Sequence, residues 1–159
     1  MYKHLLIPTD GSELSKLAIQ EGVALAKALD ARVTVLTVTT PFHIFSSDPA
    51  MIEDTAEQYR RRMAAVAGQY LNVAKHIAET TGVPCDLVHV EHEHPYQAII
   101  STAQERNCDL IQMASHGRRG VSSILLGSET LKVLTHSAIP VLVCRRPRPS
   151  VLLEGAFAS

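Results

Sequence analysis

Cysteine is scarce in this chain: Cys85, Cys108 and Cys144 are the only three in 159 residues, and none forms a CxxC pair. That scarcity argues against a disulfide framework or a cysteine zinc site, and leaves buried, reduced thiols in apolar strand-like contexts. Charge of one sign is also lacking. Fifteen Lys and Arg stand against sixteen Asp and Glu, a net charge of −1. Without a basic bias, nucleic acid is not the expected partner. No apolar run is long enough to span a bilayer, and residue 3 already enters a strand pattern without a signal-peptide core. The expectation is a cytoplasmic protein with no membrane association. Two phosphate motifs are missing as well, the Walker A lysine loop and a Gly-x-Gly-x-x-Gly after the first strand. Standard NTPase and dinucleotide chemistry are therefore disfavoured.

What is present is apolar and regularly interrupted. At 46% hydrophobic, the chain is expected to form one domain over residues 1–146, with a loosely held tail over 147–159. Lys3 to Pro8 has the pattern of a strand, and a helix follows the Thr9-Asp10-Gly11-Ser12 turn as far as Leu29. Its inward stripe is Leu14, Ala18, Gly22, Leu25, Ala26 and Leu29, with Gly22 suited to close approach to a sheet. Arg32 to Val38 is a second strand, and residues 39–50 form the longest loop.

A long helix is expected from Met51 to Thr81, closed by Gly82, with Tyr59, Met63, Val66, Tyr70, Val73 and Ile77 facing inward. Arg60, Arg61 and Arg62 fall on its solvated face. Cys85 to Glu91 is the third strand, a helix opens at Pro95, and Asp109 to Ala114 and Pro140 to Cys144 are strands four and five. A last helix spans Ser128 to Ser137. This alternation points to an α/β fold, a parallel sheet with helices on both faces.

In such sheets ligands bind beyond the carboxyl ends of the strands, where strand order reverses. The two loop-like exits are Thr9-Asp10-Gly11 after strand one and Ala114-Ser-His-Gly117 after strand four. The second has a distinctive spacing. Ala114, two residues, Gly117, nine residues, then Gly127-Ser128 form a turn with little side-chain bulk leading to a helix N-terminus. Such an N-terminus offers unpaired amides and the positive dipole end to a phosphate. The same residues also fit a plain loop with Ser128 as helix cap. Asp10 to Glu13 likewise has capping-box spacing.

Other clusters carry weaker chemistry. His89, His92 and His94 lie close together, and His92 and His94 would share one face of an extended strand. That pair is the candidate metal ligand set, too few for a complete site; a polar strand exit is the simpler reading. Ser115 beside His116 resembles a nucleophile and base, yet no Asp stands ready to orient the imidazole.

The combination of Ile7-Pro-Thr-Asp10-Gly-Ser12, a second strand ending near Val38, Asp109-Leu-Ile-Gln-Met-Ala-Ser-His-Gly-Arg-Arg-Gly120, Leu125-Leu-Gly-Ser128 and His136-Ser-Ala-Ile-Pro-Val-Leu-Val143 resembles the universal stress protein family. The resemblance implies a five-stranded parallel sheet in order 3-2-1-4-5, of the adenine nucleotide alpha-hydrolase-like type. It implies a homodimer formed through the fifth-strand edge, Pro140 to Cys144. It also implies an adenine nucleotide ligand: ATP, or AMP or ADP in its place, with Mg²⁺ accompanying the triphosphate.

On that resemblance, Asp10 would bind ribose hydroxyls or the adenine edge. Thr9 and the backbone around Val38 would line the base with Met113, although Val38 and Met113 also fit plain sheet core. The phosphates would meet Gly117, Gly127, Ser128 and the amides of Glu129 and Thr130, with Arg118 and Arg119 offsetting charge; Pro8, Ala114 and His116 also belong to the implied nucleotide site. ATP-binding members carry glycine where this chain has Ala114. A methyl there is harmless at negative φ and obstructive at positive φ. The implied role is regulatory, in stress response, with an unknown protein partner. A nucleotide-free protein acting by protein contacts, and a slow ATPase, are the alternatives.

Overall fold

The computed structural model describes residues 1–43, 49–117 and 126–145, with only the backbone described over 49–54. Arg118, Arg119, Leu125 and the tail from 147 to 159 lie outside the described residues. The order is β1 (His4–Pro8), α1 (Glu13–Leu29), β2 (Arg32–Thr39), α2 (Pro49–Thr81), β3 (Cys85–Glu91), α3 (Pro95–Glu105), β4 (Leu110–Ala114), α4 (Ser128–His136) and β5 (Val141–Cys144). All pairings are parallel, and the sheet order is β3-β2-β1-β4-β5. Strand order reverses between β1 and β4, as the crevice rule requires.

Alternate side chains of the central strands divide between two apolar layers. Leu5, Ile7, Val33 and Val35 pack with Ile19 and Val23 of α1 and Leu71, Ala74 and Ala78 of α2. Leu6, Leu36, Ile111 and Met113 pack with Ile99 and Ala103 of α3 and Val133 of α4. The period of two along each strand puts neighbours on opposite faces, and helices cover both. Gly22 does what its place on the α1 stripe suggested: a Cβ there would stand 2.5 Å from Ile7 Cδ1.

The sheet's upper rim is uneven. Pro8 of β1 is level with Leu36, while the β2–β3 pairing continues as far as Thr39 and Glu91. The outer pair thus stands three residues, about 10 Å, above the β1 exit.

One expectation is corrected in α2. The buried seam is Ala67, Leu71, Ala74 and Ala78, whereas Val73 is exposed and Val66, Tyr70 and Ile77 are half-buried. The expected stripe is off by one residue, about 100° around the helix. Close packing on α1 and the sheet selects alanine at the contact, so the bulkier residues flank it.

Buried polar groups fasten the bottom of the sheet. Asp109 accepts the amides of Lys3 (2.7 Å) and His4 (3.0 Å), and His4 Nε2 lies 2.8 Å from Thr34 Oγ1. Burial, aided by the Arg32 charge, holds the His4 pKa below its ordinary 6.5, with Asp86 and Asp109 opposing. Below pH 6.5 the unfolded chain therefore binds a proton that the folded chain resists. Stability is expected to fall as pH drops from about 6.5 through the lower folded value. Urea titrations between pH 7 and 5 should show a flatter decline for His4→Gln than for wild type. Parallel curves would exclude His4 as the cause.

Candidate nucleotide site at the β1 and β4 exits

Thr9, Asp10, Gly11 and Ser12 form a tight turn between β1 and α1. The α1 N-cap is Ser12, whose hydroxyl accepts the Ser15 amide at 3.2 Å. Asp10 is therefore not the cap; its Oδ1 accepts the Ser12 amide at 3.0 Å, an Asx-type turn. Thr9 is buried, and its hydroxyl sits 3.0 Å from Ser15 Oγ and accepts the Gly11 amide at 3.3 Å. That side chain supports the turn, leaving only Thr9 backbone to line a base. Gly11 has φ +76°, a conformation favouring glycine, and the Tyr70 ring of α2 lies against its Cα.

The β4 exit faces this turn. A Cβ built on Gly117 would overlap Asp10 Oδ2, so the two exits touch. Gly127 closes the other side, donating its amide to the Ser115 carbonyl at 2.7 Å. A Cβ on Gly127 would stand 3.1 Å from His116 Cα. Gly127 has φ −71°, and Gly117 is not among the positive-φ glycines. Both glycines are thus needed for room and not for backbone freedom.

Gly127, not Ser128, is the N-cap of α4; Ser128 is the first helical residue, and the N-cap glycine makes no side-chain capping bond. The expected Ser128 cap is corrected by one position. The consequence is chemical, because the N-cap glycine gives the opening amides of α4 no side-chain acceptor. Thr130 is buried and its hydroxyl donates to the Ala114 carbonyl at 3.0 Å, pinning α4 to the end of β4. Glu129 turns sideways, accepting the Tyr96 amide at 2.9 Å and pairing with Lys132 at 2.9 Å.

Ala114 meets the harmless condition. It is a strand residue outside the positive-φ set, and its methyl packs with Leu14, Ala18 and Cys144 on the α1 side. Met113 and the half-buried Val38 share the opposite layer, where they belong to one apolar cluster. Pro8 ends β1 beside Leu36. Arg118 falls outside the described residues.

The competing clusters do not assemble. β3 ends at Glu91, so His92 and His94 occupy the turn before α3 and not one strand face; His92 Nδ1 accepts the His94 amide at 2.9 Å. His89 is separately engaged with Thr39 at 2.8 Å. Among the described residues no group of three or more His, Cys, Asp or Glu is placed to hold a metal ion. Ser115 Oγ lies 3.2 Å from His116 Nδ1, and no described hydrogen bond or ion pair joins His116 to a carboxylate.

The sequence-family model described as "Universal stress protein family" matches residues 1–145. The chain belongs to the universal stress protein family. It is 33% identical over 150 residues to the universal stress protein MJ0531 of Methanocaldococcus jannaschii, covering 93% of this chain and 85% of that one. Among solved structures, hypothetical protein MJ0577 matches with a TM-score of 0.80 at 28% identity, over 94% of this chain and 99% of the other. A universal stress protein solved in complex with cAMP shares the fold, with a TM-score of 0.66 at 23% identity over 90% and 96% of the two chains. This universal stress protein therefore has the adenine nucleotide alpha-hydrolase-like fold of its relatives. No helix among its described residues is long and apolar enough to cross a membrane.

Proposed function

We propose that this universal stress protein is a cytoplasmic regulatory protein that binds an adenine nucleotide, ATP in the first instance with AMP or ADP as alternatives. The observation that carries the proposal is the N-terminus of α4, whose N-cap Gly127 supplies no side-chain acceptor, opening beside Asp10 and Gly117 at the strand-order reversal. Amides of Ser128, Glu129 and Thr130 meet the phosphates, Asp10 meets ribose or adenine, and Val38 and Met113 supply the apolar side. Mg²⁺ bound to a triphosphate is held chiefly by phosphate oxygens, since no group of three or more metal-ligating side chains gathers among the described residues. The cAMP complex of a protein with the same fold supports this ligand class.

The protein acts as a homodimer through β5. Among the described strands β5 pairs only with β4, and Leu142 on it is exposed, as are Leu131 and Leu134 on the preceding helix. A second copy would cover an edge that otherwise invites association. A protein partner reads the nucleotide state through the loops after β2 and β4.

A nucleotide-free reading has one specific observation in its favour. The room required at Gly117 and Gly127 is already used by protein atoms. Heat-denaturing the purified protein and chromatographing the supernatant distinguishes the two, together with an ATP thermal shift. Bound adenine nucleotide is expected, and at 100 times Kd ATP should add about 2.7 kcal/mol of stability. Ala114→Gly should leave ATP affinity within about twofold while costing about 1 kcal/mol of stability. No nucleotide and no shift in wild type would overturn the proposal. Binding gained only in Ala114→Gly would show the methyl to be the barrier.

A further inference from the structure

Glu129 is a carboxylate in the first turn of the helix offered to an anion, where its charge alone would compete for the positive dipole end. Its side chain does something else. Oε2 accepts the Tyr96 amide of α3 at 2.9 Å, and Oε1 pairs with Lys132 Nζ at 2.9 Å. Pro95 opens α3 without an N–H, and its N-cap residue, His94, makes no side-chain capping bond. Tyr96 therefore carries the first amide of α3, and Glu129 supplies from another helix the acceptor that His94 does not. Lys132 also lies 5.4 Å from the Tyr96 ring centroid, and that ring packs at 5.5 Å on His136, one turn farther along the same face of α4. Three residues of α4 thus close on one residue of α3.

We propose that Glu129 is a positioning residue of the nucleotide site. It braces the first turn of α4 against the N-terminus of α3, so that the amides beyond Gly127 keep a fixed direction toward the phosphates. The inference rests on the nucleotide reading above. It predicts a result opposite in sign to simple charge repulsion. If Glu129 were only a nearby negative charge, removing it would tighten ATP binding, whether by Glu129→Ala or by Glu129→Gln. As a brace, Glu129→Ala weakens ATP binding although a negative charge has gone, and Glu129→Gln restores affinity because its amide oxygen still accepts from Tyr96.

The experiment is ATP calorimetry on the full chain, paired with amide hydrogen exchange without ligand. Glu129→Ala should weaken ATP binding about tenfold, the scale of one charge-assisted hydrogen bond, and Glu129→Gln should recover to within about threefold of wild type. In Glu129→Ala the amides of Tyr96 and of Leu131, which closes the first α4 turn onto Gly127, should exchange at least about tenfold faster. Tighter binding in both variants, or unchanged exchange at Leu131, would overturn the proposal. Should wild type bind no adenine nucleotide, the nucleotide reading fails. The exchange data then decide the brace by themselves, faster exchange supporting it and unchanged exchange ending it.

Discussion

Gly117→Val is expected to weaken ATP binding at least about 100-fold, equivalent to about 2.7 kcal/mol, with little loss of folding stability. The reason lies in two observations at one residue. Gly117 is exposed, and its backbone is not in the left-handed region, so a side chain there neither overpacks the core nor strains the chain. Any Cβ, however, overlaps Asp10 Oδ2. Asp10 must then swing from its place over the Ser12 amide, or the β4 exit must withdraw from β1. Either movement separates the two halves of the proposed site. Calorimetry with ATP and thermal unfolding on the same sample check both parts. Unchanged affinity would mean that a bound nucleotide does not need these exits in contact.

Gly11→Ala should do the reverse, damaging the fold before the site. Its φ of +76° costs an alanine about 1–3 kcal/mol, and the Tyr70 ring occupies the space of the new methyl. Together the expected loss is about 2–4 kcal/mol, or about 5–15 °C in Tm for a chain of this size. A double-mutant cycle separates the two contributions. Tyr70→Ala in the Gly11→Ala background should recover the steric part and leave the backbone part. Fully additive losses in urea unfolding would show that the ring is not the obstacle.

The alternation of strands and helices was legible because each element has its own periodicity and clear punctuation, such as Pro95 at a helix start and Gly82 at a helix end. The contact of Asp10 with Gly117 was legible only through topology, since residues over 100 apart meet where strand order reverses. Three details were hidden. The inward face of α2 is marked by alanines, which a search for bulky apolar residues passes over. The facing of Ala114 could not be read because β4 is buried on both sides, and a continuous apolar run hides its parity. The partner of Glu129 lies 33 residues away on another helix, and no local pattern announces it. Where Ser128 was concerned, the helix start was legible and the cap lies one residue earlier than expected, because glycine is itself a competent N-cap.

The uneven rim of the sheet makes the site lopsided. A molecule resting over the β1 and β4 exits has a backbone wall about 10 Å high on its β2–β3 flank, while β5 stops at Cys144, level with Ala114. Bulk attached to such a molecule on that flank meets the wall, so derivatives extended toward β3 should be refused.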